Sequence, residues 1–113
     1  MHETICACRC CFLGLHKMEN STIRLPFSEV AAELVRILSS LNFEENKAFR
    51  CAQIFTENTC DGVASHGLNR FPRFVDSVRQ GHVDIDAEPE FVNNLGIIEQ
   101  WDGKRGIGIT NAE

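Results

Sequence analysis

Ser65-His66-Gly67, followed by Arg70 and Arg73, is the stretch of this chain best equipped for chemistry. An imidazole can hand over a proton near neutral pH, and a guanidinium grips a carboxylate through two parallel hydrogen bonds. If a helix begins near His66, then His66 and Arg70 stand at i and i+4 on one face. Spacing alone leaves the plainer reading open, in which His66-Gly67 is only a turn. His16 and His82 read as surface residues; His82 follows a helix C-terminus, where the dipole favours a positive charge.

Two other stretches invite a chemical reading and fail it. Gly106-x-Gly108 resembles the opening of a dinucleotide fingerprint, but Asn111 stands where the third glycine belongs, and that motif also needs an acidic residue about 20 positions on. Cys6-Ala7-Cys8-Arg9-Cys10-Cys11 is rich in thiols, yet zinc sites favour Cys pairs two to four residues apart with a second pair further along. No metal site is expected. Disulfides need an export signal, and Met1-His2-Glu3-Thr4 has no basic n-region, so a reducing, cytoplasmic setting is expected. Residues 1–17 read as a non-structural Cys-rich extension or a mis-assigned start, with Met18 the natural beginning.

The elements that must position His66 are amphipathic helices. Val30, Leu34, Ile37, Leu38 and Leu41 form one apolar stripe, predicting a helix over about 28–41 with Asn42 as its stop. Glu44-Glu45 opens a second, over about 44–58, whose stripe is Ala48, Cys51, Ala52 and Phe55; Cys51 reads there as a small buried hydrophobe. Thr59-Cys60-Asp61-Gly62 breaks it. Phe71, Phe74, Val75 and Val78 mark a third helix over about 69–80, with Asn69 as N-cap, Pro72 in the first turn and Gly81 at C′. A turn of helix already present at 65–69 is the alternative. An acidic linker over 82–89 leads to two short strands, about 90–95 and 97–101. Trp101 and the phenylalanines are expected in the core. The fold class is α+β.

At 113 residues the chain holds one domain at most, with little room for a cofactor-sized cleft. A net charge of −5 argues against nucleic acid, whose phosphates need a basic face. No apolar run approaches the roughly 20 residues that span a bilayer, so no membrane partner is expected. The close at Gly106–Glu113 brings no finishing element, and 18–113 is expected to be the truncated N-terminal part of something larger.

Asp61-Gly62-Val63-Ala64-Ser65-His66-Gly67-Leu68-Asn69-Arg70-Phe71-Pro72-Arg73-Phe74-Val75 resembles the signature of the malate/L-lactate dehydrogenase family that is unrelated to Rossmann dehydrogenases. Gly81-His82-Val83 and Leu95-Gly96-Ile97-Ile98-Glu99-Gln100-Trp101-Asp102 continue the match, from roughly Leu25 to the end. The Asn-Arg-Phe-Pro-Arg-Phe and Ile-Glu-Gln-Trp-Asp stretches resemble its 2,3-diketo-L-gulonate reductase branch. The resemblance implies an incomplete part of a larger non-Rossmann reductase fold. It further implies reduction of a 2-keto sugar acid by NADH, with NADPH possible, in a homodimer. His66 then matches the proton donor; Ser65 and Arg70 match substrate-holding positions, Arg70 on the carboxylate. The cofactor site belongs to later segments, and no residue here is assigned to it. Two alternatives remain: a malate, lactate or ureidoglycolate-type dehydrogenase of the same family, and a non-enzymatic helical interaction module.

Overall fold

The computed structural model describes residues 12–13 and 23–113. The Cys-rich cluster and the start at Met18 lie outside the described residues. Phe12–Leu13 (β1) pairs antiparallel with Ile23–Arg24 (β2), Phe12 opposite Arg24. Then come three helices, α1 (Phe27–Ser40), α2 (Glu45–Cys60) and α3 (Phe71–Arg79), with a 3-10 turn at Ala64–His66 between the last two. A hairpin of β3 (Glu90–Leu95) and β4 (Ile98–Asp102) follows, and α4 (Gly108–Asn111) is one short turn. The architecture is α+β, as expected.

All three long helices stop by the same device. After α1 the residue at C′ is Asn42 (φ 68°), after α2 Gly62 (φ 77°) and after α3 Gly81 (φ 76°). Each donates to the carbonyl three residues back, and the next residue donates to the one five back: Phe43 to Leu38, Val63 to Asn58, His82 to Ser77. This is the Schellman pattern, which satisfies carbonyls orphaned at a helix end. Left-handed φ is open to glycine and tolerated by asparagine, which is why these residues were legible as stops. At its other end α2 is capped by Glu44, whose carboxylate accepts from the amides of Asn46 and Lys47, both at 3.1 Å. A negative group there also meets the helix dipole.

The core forms where α1, α2 and α3 meet. Leu34, Leu38, Phe43, Ala48, Cys51, Ala52, Phe55, Phe71 and Val75 are buried together, joined by Ile107 from the end of the chain. Phe55 stands edge-on to Phe71 at 5.2 Å between centroids and tilts against Phe74 at 5.3 Å. Such ring pairs add about 0.5–1.5 kcal/mol beyond their buried area. The segment before the hairpin is more than a linker. Lys47 Nζ reaches from α2 to the carbonyls of Ile85 (3.2 Å) and Ala87 (3.4 Å) and to Glu88 at 2.6 Å, while Val83 and Ile85 pack at the edge of the core.

The hairpin departs from expectation. Its second strand runs one residue later than the pattern predicted, and a register shift falls between Phe91 and Asn93. Trp101, expected in the core, is 53% exposed; it meets Phe91 edge-on at 5.5 Å. Leu95, Ile97 and Ile98 are exposed as well. A two-stranded ribbon has two faces and neither is covered here, so alternation cannot hide its apolar side chains.

Cys51 behaves as the periodicity predicts, with no exposed surface. Burial, with a smaller contribution from Glu113, pushes its thiol up to about 11 from 9.0. The folded chain therefore holds the proton that an unfolded chain releases above pH 9. Stability from this site is complete below pH 9 and is lost as pH rises toward 11. In a pH series of thermal unfolding, that alkaline decline is expected to be shallower in Cys51→Ala. Cys51 is also expected to resist alkylation at pH 8 until the chain is denatured; equal labelling of native and denatured protein would contradict this.

Candidate active site

The junction between α2 and α3 carries the candidate residues. The 3-10 turn closes with the His66 amide donating to the Val63 carbonyl at 3.0 Å. A second turn, Arg70 N–H to Gly67 O at 2.9 Å, brings the chain into α3. The third helix thus begins at Phe71, with Arg70 as N-cap and Pro72 in the first turn; Asn69, expected as the cap, precedes it. His66 and Arg70 consequently do not sit at i and i+4 of one helix. Gly67 (φ −98°, ψ −145°) interrupts the helical path between them.

Gly67 breaks the path because it is pressed onto the last turn of α2. It is buried, and a Cβ there would collide with Thr59 Oγ1 and come within 3.0 Å of the Thr59 Cα and backbone nitrogen. The Thr59 hydroxyl accepts from the Leu68 amide and donates to the Phe55 carbonyl, both at 2.8 Å. Asn58 Nδ2 donates to the His66 carbonyl at 3.1 Å. Two residues from one helical turn thus hold the chain on both sides of Gly67. Asn58 drew no notice in the sequence, and Thr59 only as part of the expected break; it lies instead inside α2, which runs to Cys60. Gly67→Ala must move backbone as well as the hydroxyl, a cost of about 1–3 kcal/mol. The thermal midpoint is expected to fall by about 4–8 °C for each kcal/mol; an unchanged midpoint would show that the approach is not tight.

Ser65, His66 and Arg70 are all exposed. Ser65 Oγ lies 2.8 Å from His66 Nδ1. Arg70 has no ion-pair partner among the described residues. The arrangement offers a proton-exchanging ring, a hydroxyl bonded to it, and an uncommitted cation two short turns away. Among the described residues no three His, Cys, Asp or Glu side chains cluster so as to hold a metal. Among the described residues no helix is long and apolar enough to cross a membrane.

The glycines near the end do not form a phosphate cradle. Gly103 to Gly106 is a tight turn, with the Gly106 amide on the Gly103 carbonyl at 2.7 Å and Lys104 and Arg105 both at positive φ. Asn111 Nδ2 donates to the same carbonyl at 3.0 Å, and a Cβ at Gly106 would strike the Asn111 amide. Ile107, between Gly106 and Gly108, is an anchor buried in the core. These residues do not fit a dinucleotide's pyrophosphate, and α4 is too short to offer a helix terminus to one.

Comparison with known proteins gives the chain a family. A family model described as malate/L-lactate dehydrogenase matches residues 25–113. The 2,3-diketo-L-gulonate reductase of Salmonella paratyphi B is 44% identical over 91 residues, 80% of this chain and 27% of that protein. Its counterpart in Salmonella typhimurium is 43% identical over the same length. Among solved structures, malate dehydrogenase from Pyrococcus horikoshii superimposes with a TM-score of 0.74 at 28% identity, covering 79% of this chain and 26% of that one. A putative malate/lactate dehydrogenase from E. coli gives 0.67 at 27% identity, covering 73% and 23%. The chain spans about a quarter of the length of the relatives it matches. By both its sequence from Leu25 onward and its fold, the chain belongs to the malate/L-lactate dehydrogenase family.

Proposed function

We propose that this chain contributes the proton-donating and carboxylate-binding part of an NADH-dependent reductase of a 2-keto sugar acid, of the 2,3-diketo-L-gulonate type. The carrying observation is the α2–α3 junction, where an exposed His66 is held from behind by α2 while Arg70 stands uncommitted at the start of α3. A nicotinamide cofactor would supply the hydride for the carbonyl carbon when bound; no residue described here is assigned to it. His66 gives its proton to the carbonyl oxygen, and Arg70 holds the substrate carboxylate so that the oxygen faces the ring. Ser65, hydrogen-bonded to His66, completes the site. The 44% identity to a 2,3-diketo-L-gulonate reductase supports the sugar-acid substrate over malate or lactate. NADH, with NADPH as the second candidate, and a homodimeric cytoplasmic enzyme complete the reading.

The test is a chimera in which residues 23–113 replace the corresponding segment of the Salmonella reductase. NADH oxidation is then followed with 2,3-diketo-L-gulonate, oxaloacetate and pyruvate. Preference for the diketo acid supports the assignment, and equal or greater turnover of oxaloacetate would redirect it to malate. The chain of 113 residues by itself is expected to show no NADH oxidation above a blank with any of the three. Turnover that His66→Ala abolishes would mean that this chain carries a cofactor site of its own.

A further inference from the structure

We infer that Thr59 is a positioning residue for the reaction: its hydroxyl, reaching out from the last turn of α2, sets the spacing between His66 and Arg70. The inference rests on the reading of His66 as proton donor and Arg70 as carboxylate clamp. In a continuous helix the backbone ladder would fix that spacing. Here Gly67 leaves the helical path (ψ −145°), so the link Gly67-Leu68-Asn69 must be held from outside. One turn of α2 does this with four contacts. Thr59 Oγ1 accepts from the Leu68 amide at 2.8 Å, in the middle of the link. Gly67 is pressed against the Thr59 backbone, where a Cβ would come within 3.0 Å. Asn58 Nδ2 donates to the His66 carbonyl at 3.1 Å, and the Asn58 carbonyl accepts from the Val63 amide at 2.8 Å.

Thr59 can hold the link because its own hydroxyl is held. A hydroxyl carries one proton and two lone pairs. The proton goes to the Phe55 carbonyl at 2.8 Å, a back-bond within α2, so Oγ1 offers its lone pairs to the Leu68 amide. Leu68 in turn packs against the core, and its carbonyl accepts from the Phe71 amide at 3.2 Å, where α3 begins. The Arg70 amide closes on the Gly67 carbonyl at 2.9 Å. Thr56, one turn earlier, makes the same back-bond, to the Ala52 carbonyl at 2.7 Å, but is buried within the helix packing. It is therefore the matched control. Loss of the Thr59 hydroxyl frees the Leu68 amide and lets His66 and Arg70 shift relative to each other. A substrate gripped by Arg70 would then meet the ring out of line, and a misplacement of about 1 Å can cost about 10²-fold in rate.

The experiment has two arms. In the 113-residue chain, hydrogen exchange at the Leu68 amide is expected to quicken about fivefold or more in Thr59→Ala, and to stay at the wild-type rate in Thr59→Ser and Thr56→Ala. In the chimera, with whichever of the three acids it prefers, Thr59→Ala is expected to lower kcat by roughly ten- to hundredfold with KM near the parental value. Thr59→Ser should restore kcat, and Thr56→Ala should leave it unchanged. A residue that acts through His66 has nothing to act on once the ring is gone. Thr59→Ala added to His66→Ala should therefore lower kcat by less than about twofold further, whereas a merely structural loss would repeat in both backgrounds. Thr59→Cys keeps a side chain in place with only a weak sulfur acceptor, and reads the same effect where the alanine variant does not fold. Parental kcat in Thr59→Ala, an equal loss in the His66→Ala background, or unchanged Leu68 exchange would overturn the inference. A chimera that depends on His66 but is indifferent to Thr59→Ala sinks the inference alone; near-parental kcat in His66→Ala sinks the donor reading and the inference with it.

Discussion

His66→Ala in the chimeric enzyme is expected to lower kcat by roughly 10²–10⁴-fold, the range associated with loss of a positioned general acid. The reason is where the interaction acts. Proton transfer to the carbonyl oxygen matters as negative charge develops there, so its loss falls on the transition state more than on bound substrate. KM is expected to change little by comparison. A variant that keeps near-parental kcat would mean that the proton comes from elsewhere and that Ser65-His66-Gly67 is only a turn.

Arg70→Ala is expected to show the opposite division, a KM raised by roughly 10–100-fold and a smaller loss in kcat. A hydrogen bond to a charged group contributes about 1.5–3 kcal/mol, and each 1.4 kcal/mol is about tenfold in binding. The carboxylate is charged in both the ground state and the transition state, so most of that energy is uniform binding. The residual fall in kcat reflects a substrate held less squarely to His66. Arg70→Lys should recover only part of the loss, because an ammonium cannot reproduce the planar two-pronged contact. Arg70 carries no structural ion pair among the described residues, so the thermal midpoint should stay near that of the parent. A large drop in midpoint would show that Arg70 serves the fold, and an unchanged KM would remove it from the substrate.

The helices and their stops were readable in the residues themselves. A 3.6-residue period marks Leu34, Leu38, Ala48, Cys51, Ala52 and Phe55 as one core, and that period is a local property of the chain. So is the demand for left-handed φ at a helix end, which singles out Asn42, Gly62 and Gly81. The family likeness likewise rests on consecutive residues, and comparison extends it over 25–113. Tertiary structure alone decided the rest. Whether Trp101 is core depends on what covers the hairpin, and alternation within a strand cannot report that. Whether His66 and Arg70 share a helix depended on Gly67, and Gly67 is set by Thr59, eight residues earlier in sequence and against it in space. The Ser65 contact with His66 Nδ1 has the same origin. Neighbours in sequence meet in this way only when the backbone beneath them is held, here by the last turn of α2. Residue types and spacing determined that an imidazole and a guanidinium would lie near a break between helices; packing across that break determined how each is presented.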